Sequence, residues 1–227
     1  MIPDNMKTLK AVCLITLFLL PACSYKNHLN KFANGDQKTL QVAIIDTKIQ
    51  RIDFFTKTEA TRQSLGLIGA IATINSLEGN GIIDISHAVD PANYIRKNLG
   101  NVVKAKYNLT ATPDLKKQGI DVNKHDVEYL LENYKEGDWV LDVYSVIYGH
   151  YYGGFGSTKY KVVYNAYANV IDRKTRSLIF KSRCEYKDEK DNSNSLDEIA
   201  NNHKIITTIF NYAQDFCLEK FKKEIVQ

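Results

Sequence analysis

The stretch from Trp139 to Tyr186 constrains the fold most. Three segments rich in tyrosine and β-branched residues follow one another there: about 139–148, 160–171 and 177–186. Their lengths and compositions are those of strands. Parallel neighbours need a crossover of a dozen or more residues, whereas antiparallel ones are joined by short turns. The polar turn Asp172-Arg173-Lys174-Thr175-Arg176 is such a connection, so the segments are expected to form an antiparallel meander. Alternation sorts the middle strand into two faces. Tyr160, Val162, Tyr164, Ala166, Ala168 and Val170 share one. Lys161, Val163, Asn165, Tyr167, Asn169 and Ile171 share the other. This pattern suits one covered face and one wetter face.

The flanking sequence supplies more elements. Leu40 to Asp46 reads as a buried strand, and residues 47–64 give no definite element. Leu65 to Ile74 is the most apolar stretch of the mature chain. It is too short to span a bilayer, and is either packed on the sheet or an amphipathic element that touches lipid or a partner. Gly79-Asn80-Gly81 marks a break. Asp90-Pro91 opens a helix over about 91–103, with Ile95, Leu99, Val102 and Val103 on one side. Pro113 and Gly119 bracket a loop. A second helix is expected over about 126–134, with Val127, Leu130 and Leu131 inward. Ser195 and Glu198 form a capping-box pattern for a last helix over 195–224. Its apolar stripe is Ile199, Ile206, Ile209, Phe210, Ala213, Phe216, Cys217 and Phe221. The expected fold class is α+β: one domain over 40–227, a mixed sheet with the meander, and helices on one face. Hydrophobic residues at 44% and charged residues at 25% suit a globular domain. A net charge of +4, from 30 basic and 26 acidic residues, is too balanced to argue for nucleic acid.

Residues 1–22 read as a secretory leader: Lys7 and Lys10, a short apolar run from Ala11 to Leu20, then small residues. Leu20-Pro21-Ala22-Cys23 resembles the bacterial lipobox. That resemblance implies that Cys23 is lipidated and begins the mature chain, and Ser24 after it favours the outer membrane over the inner one. Several acyl chains on one cysteine hold far better than one. Residues 23–39 then read as a lipid-anchored tether.

Four cysteines are present. Cys13 leaves with the leader and Cys23 takes lipid. Cys184 and Cys217 remain, and in an exported protein two such residues are a disulfide candidate. Two separate buried thiols are the alternative.

The search for chemistry finds little. His28, His87, His125, His150 and His203 lack metal-ligand spacing, and no metal or other cofactor is expected. No phosphate loop, Gly-x-Ser-x-Gly elbow or zincin helix occurs. Asp138 and Asp142 are four apart and point to one face, as a solvated or paired couple would. Asp188, Asp191, Asn192 and Asn194 lack the glycine and terminal glutamate of a calcium loop. One segment stands out: Tyr148-Gly149-His150-Tyr151-Tyr152-Gly153-Gly154-Phe155-Gly156. It joins two strands and mixes aromatic rings with glycines. Tyr148, His150, Tyr151, Tyr152 and Phe155 are candidate partner-binding residues, unless the rings fold back on the sheet.

With the lipobox, Asp90-Pro91-Ala92, Trp139-Val140-Leu141-Asp142-Val143, the Tyr160 to Ile171 strand with its turn, and Cys184, the chain resembles a group of small uncharacterised Gram-negative lipoproteins. The group carries no catalytic pattern. At the level of fold alone, the chain looks like the periplasmic domains of penicillin-binding-protein activator lipoproteins, the curli-secretion lipoprotein and the N-terminal domain of the Tol translocation protein. The expected function is that of a non-enzymatic lipoprotein facing the periplasm. It is attached to the outer membrane through Cys23 and binds an envelope protein. A binding module for a small apolar ligand, lipid or glycan is the alternative.

Overall fold

The computed structural model describes residues 29, 38–43, 49, 51–54, 81–112, 121, 124–151, 159–187 and 194–226. Among them are seven strands and four helices. In chain order they are β1 (Thr39–Val42), β2 (Arg51–Phe54), β3 (Gly81–Asp84), α1 (Pro91–Tyr107), β4 (Thr110–Ala111), α2 (Val127–Asn133), β5 (Trp139–Tyr151), β6 (Tyr160–Asp172), β7 (Ser177–Lys187), α3 (Leu196–Asn201) and α4 (His203–Val226). The fold is α+β in one mixed sheet.

The meander is its spine. β5 pairs antiparallel with β6 along its whole length, and β6 with β7. With β6 filling one edge of β5, β1 and β2 share the other. Both run parallel to β5, β1 beside Trp139–Leu141 and β2 beside Tyr148–Gly149. β3 pairs antiparallel with β2, and β4 parallel with β1. Gly149 is a glycine for a steric reason. A Cβ there would lie 1.9 Å from the ring of Phe54, the residue that pairs with it from β2.

The inner face of the meander carries Trp139, Leu141 and Val143 of β5, Tyr164, Ala166, Ala168 and Val170 of β6, and Phe180 and Cys184 of β7. α1 covers it with Ile95, Leu99 and Val103, and α4 with Ala213, Cys217, Leu218, Phe221 and Ile225. Leu29 is buried in the same core, within the stretch expected to be a free tether. Burying a leucine contributes about 1.5–3 kcal/mol, so Leu29 itself is held to the domain. A second core joins Ile52, Phe54, Ile83 and Ile85 to Ile199, Ile206 and Phe210.

α2 overturns the expectation of helices on one face. Leu130, Leu131 and Tyr134 pack on Val140 and Ile171, which alternate with the inner-face residues and so lie on the outer side. The turn after β6 holds this helix end. Arg173 Nε donates to Gly137 O (2.7 Å) and Nη1 to Leu131 O (3.2 Å), and Nη2 donates to Tyr134 O. Open carbonyls at a helix end favour a cation.

The first helix runs on to Tyr107, where Asn108 caps it in the left-handed region (φ 50°). The last expected helix is two helices. Asn202 ends α3, its N–H donating to Glu198 O. It also opens α4: its Oδ1 accepts from Lys204 N (3.2 Å) and its carbonyl from Ile205 N (3.0 Å). An asparagine that serves both termini breaks the helix where the apolar stripe alone runs straight through. Phe216, expected on the buried stripe, is half-exposed and tilts onto Tyr186. The first strand ends at Val42 rather than Asp46. β2 and β3 arise where no element was expected. The apolar segment 65–74 and the loop marked by Pro113 and Gly119 lie outside the described residues. Among the described residues, no helix is long and apolar enough to cross a membrane.

Candidate functional site

The outer face of the meander holds the most unusual chemistry. Its cross-strand rows follow from the register: Asp142–Asn169–Lys181, Tyr144–Tyr167–Arg183, Val146–Asn165–Glu185 and Tyr148–Val163–Lys187.

Asp142 is fully buried. Its Oδ2 meets Nδ1 of His125 at 3.0 Å, while its Oδ1 has no hydrogen-bond partner among the described residues. Asn169, directly opposite on β6, is buried and its Oδ1 is also without a partner. Side chains so paired have Cβ atoms about 5 Å apart. The buried Tyr134 hydroxyl, at the end of α2, and Arg96 Nε on α1 also have no hydrogen-bond partner among the described residues. Burial pushes this phenol up to about 12, the Asp142 charge adds to the rise, and the Arg96 guanidinium opposes it. Arg96 is itself buried. It donates to Val143 O (2.8 Å) and Asn93 Oδ1 (2.9 Å). Burial lowers its pKa, and the charges of Asp142 and Asp90 act against that fall. Buried polar atoms usually find partners, and an unmade bond costs about 1–3 kcal/mol. Among the described residues, two acceptors and a phenol are thus buried on one face without a hydrogen-bond partner.

A ladder of rings flanks this place. His125 stacks on Tyr144 (centroids 3.6 Å, planes 11° apart), and Tyr144 on Tyr167 (5.0 Å, 10°). Arg183 lies over Tyr167, 5.8 Å from its centroid. Burial raises the Tyr144 phenol, and the charges at Asp142 and Tyr167 add to this. The ring faces are spent on one another, so edges and hydroxyls are what the ladder offers a partner. Val146 beside it is 45% exposed.

With Nδ1 of His125 held by a carboxylate, Nε2 is the nitrogen left for proton transfer. Among the described residues, no hydroxyl or thiol is hydrogen-bonded to this histidine. Ser145 alternates to the inner face, where it donates to Asp90 Oδ1 (2.6 Å) and meets the Tyr164 hydroxyl (2.8 Å).

The residues singled out from sequence fare differently. Cys184 and Cys217 are joined by a disulfide, Cα atoms 5.4 Å apart, which ties β7 to α4. Cys23, Tyr152 and Phe155 lie outside the described residues. Tyr148, His150 and Tyr151 belong to β5 rather than to a connecting loop; His150 pairs with Lys161 and Tyr151 with Tyr160. Pairing with β6 extends the strand past the glycine that suggested a turn. Tyr148 is half-buried on the outer face, where the Lys187 charge feels it. Asp138 and Asp142 do not act together, because Asp138 accepts from Thr39 N and Oγ1, both at 2.8 Å. Of the suspected calcium-loop residues, Asn194 instead exchanges backbone hydrogen bonds with Tyr160. His87 and His203 meet ring to ring (3.7 Å) at the far end of the sheet. Among the described residues, no group of three or more His, Cys, Asp or Glu side chains could hold a metal ion.

No functional role for His125, Tyr134 or Asn169 was legible in the sequence. The available signal was weak: His125 stands before a helix cap, and Asn169 shares its strand face with Lys161 and Asn165. No protein-family model matches the chain, and no curated protein matches it.

Proposed function

We propose that the chain is a lipid-anchored envelope protein that binds a protein partner through the outer face of its meander. Cys23 is the acylated residue, and the domain hangs in the periplasm from the outer membrane. The observation that carries this reading is the Cys184–Cys217 disulfide, which suits an oxidising compartment and not a reducing one. The leader and the Leu20-Pro21-Ala22-Cys23 motif agree with it. The partner surface is Tyr144, Val146, Tyr148 and Tyr167 with Arg183: tyrosine and arginine anchors are what interface hot spots favour.

The test is crosslinking in whole envelopes of wild type beside the double variant Tyr144→Ser, Tyr167→Ser. A specific partner captured by wild type and lost from a folded double variant supports the reading. Equal capture by both, or no specific capture, sinks it. Mass and fractionation of the chain expressed from its own leader, beside Cys23→Ala, test the anchor separately.

A further inference from the structure

We propose that the partner surface on the outer face of the meander receives an acidic protein segment along β7, with Arg183 holding one of its carboxylates. The inference rests on the partner reading made above and names the chemistry of that partner.

The outward side chains of β7 form a charged column. Lys181, Arg183, Glu185 and Lys187 stand at every second position, so they share one face of the strand. The register sets Lys181 beside Asn169, Arg183 beside Tyr167 and Glu185 beside Asn165. The column therefore lies on the side of the tyrosine ladder. Lys181 is exposed, and the side chains of Arg183 and Lys187 are 52% and 62% exposed. Glu185 is already engaged from both sides, by Arg183 Nη2 (2.8 Å) and by Lys187 Nζ (2.6 Å). Lys181 has no ion pair among the described residues. Three cations against one carboxylate leave an excess of positive charge, and Lys161 on β6 adds to it. Complementary charge on a partner speeds its encounter and fixes its register.

The way Arg183 is held goes beyond net charge. Its Nη2 donates to Asn165 Oδ1 (3.2 Å) as well as to Glu185, and its guanidinium lies over the Tyr167 ring (5.8 Å). Asn165 is itself buried, which anchors the contact. Nε and Nη1 make no hydrogen bond among the described residues. A guanidinium is planar and takes a carboxylate along one edge. An arginine already fixed by a ring and an amide loses less freedom when it binds. Edge strands often carry lysines that discourage pairing with another sheet. That accounts for Lys181 and Lys187. It does not account for an arginine fixed on a tyrosine by a buried asparagine.

The neighbours of the column favour a protein over a bare polyanion. The row Tyr144–Tyr167–Arg183 sets two phenols beside the cation, and Val146 in the next row is exposed. Arginine, tyrosine and an apolar side chain together are the mixture of protein hot spots. A polyanion read by charge alone has no use for the rings or the valine.

The test uses the wild-type chain in detergent micelles and a synthetic peptide of alternating Glu and Thr, with a peptide of alternating Lys and Thr as control. An amine-acylating reagent is added across a titration, and the rate at each lysine is read by peptide mass. With the acidic peptide at about four times its dissociation constant, Lys181 and Lys187 should react about fivefold more slowly. Lys97, Lys106 and Lys204, exposed on helices, should be unchanged. Arg183→Gln, folded by circular dichroism, should bind the peptide about tenfold more weakly. Protection should fade near 1 M salt, where the Debye length is about 3 Å. No protection of Lys181 and Lys187, equal protection of all five lysines, or undiminished binding by Arg183→Gln would overturn the inference. Equal protection by dextran sulfate at the same charge concentration would also overturn it, because charge alone would then suffice. Envelope crosslinking separates the two readings. A partner lost from Tyr144→Ser with Tyr167→Ser but fully captured by Arg183→Gln would overturn the acidic segment and leave the partner surface standing. A partner captured equally by wild type and by both variants would sink the partner surface itself.

Discussion

The two faces of one meander follow different rules. On the inner face Tyr164, Ala166, Ala168 and Val170 meet apolar side chains of two helices. Its polar handle, the Tyr164 hydroxyl, has Ser145 as a partner. On the outer face buried polar groups lie among stacked rings, and three of their atoms go unsatisfied. A hydrophobic face is stabilised by area and tolerates no gaps. A polar buried face is stabilised only as far as its hydrogen bonds close. The inner face thus holds the fold together, and the outer one carries buried acceptors that no described residue satisfies.

That contrast can be broken in order of size. Phe221→Ala, fully buried under the inner face, should cost about 3–5 kcal/mol in denaturant unfolding. A loss below about 1 kcal/mol would mean that α4 is not a structural cover. Replacing both Cys184 and Cys217 by serine opens a 33-residue link and should cost about 4 kcal/mol in the chain-entropy model. Calorimetry should then show a melting point lower by roughly 10 °C at this domain size.

Asp172 sharpens the comparison from the edge between the faces. Burial tends to raise its carboxyl, but Thr175 N and Oγ1, the Lys38 ammonium and Trp139 Nε1 together hold it below the ordinary value of 3.8. A depressed carboxyl contributes stability above its unfolded value and loses it as pH falls through the folded one. Asp172→Asn should therefore lower stability by about 1–2 kcal/mol at pH 7. The gap to wild type should close below about pH 4, as measured by urea midpoints across pH. A gap that stays constant with pH would show that the charge is not what matters.

The smallest effects belong to the outer face. Asn169→Val removes an unsatisfied buried acceptor and should leave stability within about 1 kcal/mol of wild type, whereas Val170→Ala beside it on the inner face should cost about 2 kcal/mol. Tyr144→Ser with Tyr167→Ser should leave the fold intact by circular dichroism while abolishing partner capture in envelopes. Loss of fold instead would make the ring ladder part of the core.

The meander, both capped helix starts and the inner-face residues were legible because each rests on a local period or a cap. Alternation along Tyr160–Asp172 reports burial two residues at a time, and Asp90 and Ser195 cap through their own side chains, accepting from Ala92 N and Glu198 N. Where β2 and β3 lie was not legible, since four-residue strands such as Arg51–Phe54 are too short to show a period. The side taken by α2 was not legible either, because an amphipathic helix states that it is covered but not by which face of a sheet.

Periodicity and caps determined the α+β class and the strand faces, since these depend on residues near in sequence. The pairing of β1 and β2 along one edge of β5, the burial of Leu29 and the meeting of His125 with Asp142 and of Asp142 with Asn169 were settled by contacts across many residues. Hydrogen-bond register and close packing decide such contacts, and neither leaves a local period for a reader of the chain to find.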